Sequence, residues 1–196
     1  MEYKDILKAA VSSYVSAAVR ADSETKEAHA RLKEEYADET IKTINRRLTE
    51  KLNSARSEIE TAKAKAISDI EEWGRIDGSQ LPKDAALLQY DIEPSDFNTL
   101  VQRHKDNSTM QKLLLKYGQQ KNDAQTKVGE HPIYDLTGIE TVQSRTNNAQ
   151  QLAQHALSVM DMLSGNGYMK GINSTMARNA YNQFIGSDNG YFRFQE

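Results

Sequence analysis

The 196-residue chain contains no cysteine. Disulfides, thiol nucleophiles, iron–sulfur clusters and cysteine zinc sites are therefore excluded. There are only three prolines and ten glycines, which excludes a proline-rich linker protein or a collagen. No run of 18 apolar residues occurs, so no segment reads as membrane-spanning. The first residues lack a basic segment followed by a solid apolar stretch, which speaks against a secretory signal. A strong excess of one charge is missing too. The 25 basic and 28 acidic side chains leave a net charge of -3, which gives no global pull toward nucleic acid. Apolar residues are scarce, at 38% with a mean hydropathy of -0.74. Such a chain has little material for one large core.

What is present is helix-permissive sequence. Neither glycine nor proline, the two strongest helix breakers, occurs before Gly74. Within Tyr3 to Arg20, Ile6, Leu7, Ala10, Val11, Tyr14, Val15, Ala18 and Val19 follow the three–four spacing of one helical face. Asp22 and Ser23 offer a cap for a second helix, with a continuous helix through them as the alternative. From Ile41 a narrow stripe runs through Ile44, Leu48, Leu52, Ala55, Ile59, Ala62, Ala66, Ile70 and Trp73. Its nine steps average about 3.56 residues, between the heptad and eleven-residue periods, so the helix is nearly straight. A helix from Ser23 to Trp73 would measure about 75 Å. A compact chain of this size has a radius of gyration of about 16 Å, so such a rod would protrude or pair with another chain.

Gly74 and Gly78 end the rod. Pro82 and Pro94 open short helices, the second carrying Phe97, Leu100 and Val101. Ser108 with Gln111 reads as a capping box before Met110, Leu113, Leu114 and Tyr117. Gly118 to Tyr134 reads as a polar linker. Thr137 with Glu140 reads as a second capping box. It opens a helix carrying Val142, Ala149, Leu152, Ala153, Ala156, Leu157, Met160 and Leu163, which Gly165-Asn166-Gly167 stops. Met169 to Ile185 has the apolar spacing of one more short helix. Tyr191, Phe192, Arg193 and Phe194 close the chain, and aromatics beside arginine are the residue types that anchor interfaces.

Known chemical motifs are not found. The four histidines (His29, His104, His131 and His155) show no metal-ligand spacing, and each reads as a surface or edge residue. No phosphate-binding glycine loop occurs. The acidic group Asp91, Glu93 and Asp96 lacks the ligand spacing of a calcium loop. The carboxylate pairs Glu34–Glu35 and Glu71–Glu72 fall on exposed helix, where nothing shifts a pKa for acid–base work. Arg46, Arg47, Lys51, Lys63 and Lys65 are interrupted by Glu50, Glu58 and Glu60 and read as a solvated helix face.

The segment from Ser95 to Met110 (SDFNTLVQRHKDNSTM), continued by QKLLLKY to Tyr117, resembles segments of small helical structural proteins encoded near capsid genes in tailed phages of Gram-positive hosts. A charged helical rod followed by Asn/Gln/Gly-rich helices is similar in layout. The resemblance implies a virion or assembly component, located in the particle or in the host cytoplasm during assembly, with no catalytic residues. The alanine-rich stretch from Ala55 to Ala66 also resembles the rod of rotary-ATPase stalk subunits, but the α/β domain that ends those proteins has no counterpart here.

The expected fold is all-α and elongated. An amphipathic helix and long rod occupy residues 1–73, a short helical hairpin region 74–120, a linker 121–136, and a helix with its aromatic tail 137–196. The expected function is a non-enzymatic structural or assembly protein without metal or cofactor. It would contact its own copies and other structural proteins through Ile41, Ile44, Leu48, Leu52, Ile59, Ile70 and Trp73 on the rod, and through Tyr191, Phe192, Arg193 and Phe194 on the tail. The alternative is a soluble coiled-coil adaptor or chaperone for one protein partner.

Overall fold

A computed structural model describes residues 2–165 and 171–186. Among them are six α-helices: α1 (Tyr3–Arg31), α2 (Glu34–Trp73), α3 (Pro94–Arg103), α4 (Ser108–Lys127), α5 (Val142–Ser164) and α6 (Thr175–Gly186). Two 3-10 segments, Gly78–Gln80 and Lys83–Gln89, lie between α2 and α3. No strand occurs among the described residues, so the expected all-helical class holds. The chain divides into two compact units, one of Met1–Ala66 with Asn148–Glu196, the other of Ile67–Asn147.

In the first unit the long rod is broken. Helix α1 does not stop at Ser23. Asp22 is paired along the helix, its carboxylate accepting a hydrogen bond from Lys26 Nζ at 2.7 Å. The reversal comes ten residues later, at Leu32–Lys33. Leu32 still donates its N–H to Ala28 O, but its ψ of 153° takes the chain out of the helix. The carbonyl of Lys33 then accepts from Tyr36 and Ala37 to start α2, both at 3.0 Å. A non-glycine residue in extended conformation costs little, so the turn needs neither glycine nor proline.

Burial drives this reversal. Leu7, Ala10, Val11, Tyr14 and Ala18 of α1 pack in one cluster with Leu52, Ala55, Ile59 and Ala62 of α2. Leu152, Ala153, Ala156, Val159, Met160 and Leu163 of α5 join it, with Ala177 and Phe184 of α6. Burying one Leu, Ile or Val side chain stabilises by about 1.5–3 kcal/mol, and the alanines let the helix axes approach closely. Polar contacts fix the register. Tyr3 Oη donates to the Ala149 carbonyl at 2.9 Å, and Arg56 pairs with Asp161. The Ser12 and Tyr181 hydroxyls lie 3.3 Å apart.

The second unit has a smaller core of Phe97, Leu100, Val101, Met110, Leu114, Tyr117 and Ile139. Helix α3 begins at Pro94, as the sequence predicts. Three other sequence expectations shift. Asn107, not Ser108, caps α4, its Oδ1 accepting from Met110 N at 2.9 Å. Gln111 is instead buried, donating to the carbonyls of Val101 and His104, both at 3.0 Å, and so closing the end of α3. Second, the presumed linker from Gly118 is helical as far as Lys127. There Glu130 N–H donates to Gln125 O and Gly129 N–H to Thr126 O, a Schellman ending with Gly129 at φ 83°. Third, α5 starts at Val142, and Thr141 and Ser144 cap each other reciprocally. Thr137 is held by Asp135 Oδ1 in a turn, while Ile139 is drawn into the core.

Gly118 sits inside α4 because Phe97 and Leu136 press against it. A Cβ there would lie 2.5 Å from Leu136 Cδ2 and 3.0 Å from Phe97 Cζ. Overpacking costs about 1–3 kcal/mol. Gly118→Val should therefore lower the urea unfolding free energy by about 2 kcal/mol, whereas an unmoved midpoint would show that Leu136 yields freely. In the first unit Ile59→Ala, at a fully buried site, should cost about 2–5 kcal/mol in the same measurement.

Candidate functional site

The expected contact residues on α2 are largely inside the fold. Ile44, Leu52 and Ile59 are buried in the first unit, and Ile70 is buried in the second. Ile41, Leu48 and Trp73 are half-buried. Leu52 and Ile59 belong to the core formed with α1, α5 and α6, and Leu48 packs against it. Trp73 carries the Arg145 guanidinium 3.8 Å above its ring and donates Nε1–H to the Asp106 carbonyl at 3.4 Å. Most of the stripe thus serves intrachain packing, with α1, α5 and α6 doing what a partner helix was expected to do. Tyr191, Phe192, Arg193 and Phe194 lie outside the described residues.

A different surface emerges toward the α1–α2 turn. The apolar cluster ends near Ala18 on α1 and Leu48 on α2. Beyond it the two helices continue as a hairpin, with Ala28, Ala37 and Ile44 buried between them. Val19, Leu32 and Tyr36 are exposed there, Tyr36 at 65%. Two shallow grooves of about 170 and 330 Å3 share Glu24, Ile44 and Arg47, with Ala17, Ala21 and Leu48 flooring the first. Glu24 bridges the rim, accepting from Arg20 Nε at 2.8 Å and from Arg47 Nη2 at 3.0 Å. The Arg20 hydrogen bond, then the Arg47 charge, holds its carboxyl below the ordinary glutamate range.

A second polar cluster lies in the other unit. Asp84 Oδ2 contacts His104 Nε2 and Arg103 Nη1, each at 2.9 Å. Its pKa is lowered chiefly by the His104 contact and then by Arg103. This carboxylate ties the 3-10 segment Lys83–Gln89 to the end of α3. Sequence spacing could not reveal it, because 20 residues separate the partners. Among the described residues no group of three or more His, Asp or Glu side chains is placed to hold a metal ion, and no helix is long and apolar enough to cross a membrane. Comparison with known protein families, with curated proteins and with solved structures finds no match to this chain.

The titratable groups give opposite pH dependences at the two extremes. Glu24 and Asp84 have depressed folded pKa values, so their stabilisation is present above the ordinary carboxylate range and is lost as pH falls through it. Burial, and then the charge of Glu60, pushes Tyr3 from 10.0 up to about 12. The stabilisation from its neutral hydroxyl is present below pH 10 and lost as pH rises through about 12. Asp84→Asn should flatten the acid limb of a stability–pH curve. Tyr3→Phe should flatten the alkaline limb and leave the acid limb unchanged.

Proposed function

We propose that the chain is a non-enzymatic structural or assembly protein that works through helix-mediated contacts with other protein subunits, as a component of a phage particle or of its assembly. The observation that supports this most is the far part of the α1–α2 hairpin. It continues past the apolar core with Val19, Leu32 and Tyr36 exposed. Among the described residues these three side chains stay open to solvent, and a two-helix extension of this kind is suited to being covered by another subunit. The phage assignment rests on the resemblance of the segment Ser95 to Tyr117.

Protein contact also suits the chemistry of this surface. Around the grooves the charged side chains are tied to one another, as Arg20 and Arg47 are through Glu24, and the grooves are shallow and floored by alanine, isoleucine and leucine. Small apolar side chains in a shallow groove fit a helix ridge better than a small substrate, which needs an enclosing concave site.

Quantitative mass spectrometry of particles and of assembly intermediates, purified from the virus encoding the chain, tests the reading. The chain should be present at a fixed copy number per particle or intermediate. Its absence from both would overturn the structural role and favour a soluble adaptor for a single partner.

A further inference from the structure

The outer ridge of α2 near the hairpin turn carries Glu35, Glu39, Lys42 and Arg46, all exposed. Their spacing of four, three and four residues puts them in one line along the helix. This line lies opposite the side on which Ala37 and Ile44 are buried. Two neighbouring pairs along this line repel. Glu35 and Glu39 are like charges at i,i+4, and so are Lys42 and Arg46, and such pairs destabilise an isolated helix. Glu35, Glu39 and Lys42 form no ion pair with any described residue. Arg46 reaches only Glu50, at 3.9 Å, with both side chains at least 70% exposed.

Read backwards, the ridge has the same spacing with every sign inverted. That is the condition for an isologous contact, in which one patch meets its own copy across a two-fold axis. We propose that α2 pairs antiparallel with α2 of a second copy of this chain, about a two-fold axis midway between Glu39 and Lys42. Glu35 then faces Arg46 of the second copy, and Glu39 faces its Lys42. Symmetry repeats both pairs, so four intermolecular ion pairs form and each like-charge neighbour gains an opposite charge. Tyr36 flanks the ridge on the same side as Thr43 and Arg47. The two-fold brings its ring beside those two residues of the second copy, where an arginine over an aromatic face is favourable. An unrelated partner would not require the two halves of the ridge to complement each other. The contact adds one specific interface to the assembly role proposed above and rests on that reading.

Charge reversal tests the pairing, because all four positions are exposed and the variants should retain the wild-type helical circular dichroism. Sedimentation equilibrium of the wild-type chain at low salt should show the mass rising with concentration from 22.1 kDa toward twice that value. It should fall back at about 1 M salt, where the Debye length is about 3 Å. The E35K/E39K and K42E/R46E double variants should each self-associate roughly tenfold or more weakly. Mixed one to one, they should form a heterodimer at least as tight as the wild-type pair, since a fully basic ridge then meets a fully acidic one. The quadruple variant with all four signs exchanged should regain self-association. A mixture that stays at monomer mass, or double variants that dimerise like the wild type, would overturn the proposal. Either result would leave the assembly role standing, since that role is tested by presence in the particle.

Discussion

Covering the apolar face of α1 is the constraint on which the first unit depends. Leu7, Ala10, Val11, Tyr14 and Ala18 would expose a continuous stripe in a free helix. In a chain this poor in apolar residues the best complementary surface is the stripe of α2, from Leu52 to Ala62. The two stripes can meet only if the chain reverses between them. The cost is two residues taken out of helical conformation, while several side chains each gain about 1.5–3 kcal/mol on burial. The reversal therefore occurs without glycine or proline. Alanines at 10, 18, 55, 62, 153 and 156 set the close spacing that lets α5 join the same core.

The second unit is held together differently. Its apolar cluster is small, and its connecting segments are fixed by side chains bonded to backbone groups. Gln111 closes α3, and Tyr117 donates its hydroxyl to Tyr90 O. Tyr134 donates to Ile92 O at 2.6 Å, and Asn122 exchanges two hydrogen bonds with the Tyr134 backbone. Lys112 donates to the Gly74 carbonyl just past the end of α2. Phe97, Tyr117 and Tyr134 meet edge-on or stacked, with centroids 5.2–6.1 Å apart. Loop backbone near a core needs such partners, because an unpaired buried amide or carbonyl costs about as much as a lost hydrogen bond.

These two modes of packing bear on function. The main stripe of α2 is used within the chain, and the surface we propose for partners is the end of the hairpin. There the apolar residues are few and the charges are ordered by sign along the helix. A contact of that kind is governed by electrostatic register more than by buried area, and electrostatic complementarity contributes specificity more than raw affinity.

Sequence alone determined that the chain is helical, where α2 ends, and that Pro94 opens α3, because periodicity and helix breakers act within a few residues. It also marked the faces of α1 and α2 to be buried. It did not determine what buries them, since an apolar stripe has the same pattern whether its partner is another molecule or the same chain reversed at Leu32. Nor did it distinguish Asn107 from Ser108 as the cap of α4, or Thr141 from Thr137 as the cap of α5. Each of these residues is a competent cap, and the choice fell to distant contacts that drew Gln111 and Ile139 inward. The helicity of 118–127 escaped for a related reason. Gly118 reads as a breaker locally, yet it is the residue that lets Phe97 and Leu136 close on α4. Local propensity is summed over neighbours in sequence, whereas burial is shared among residues that only the tertiary fold brings together.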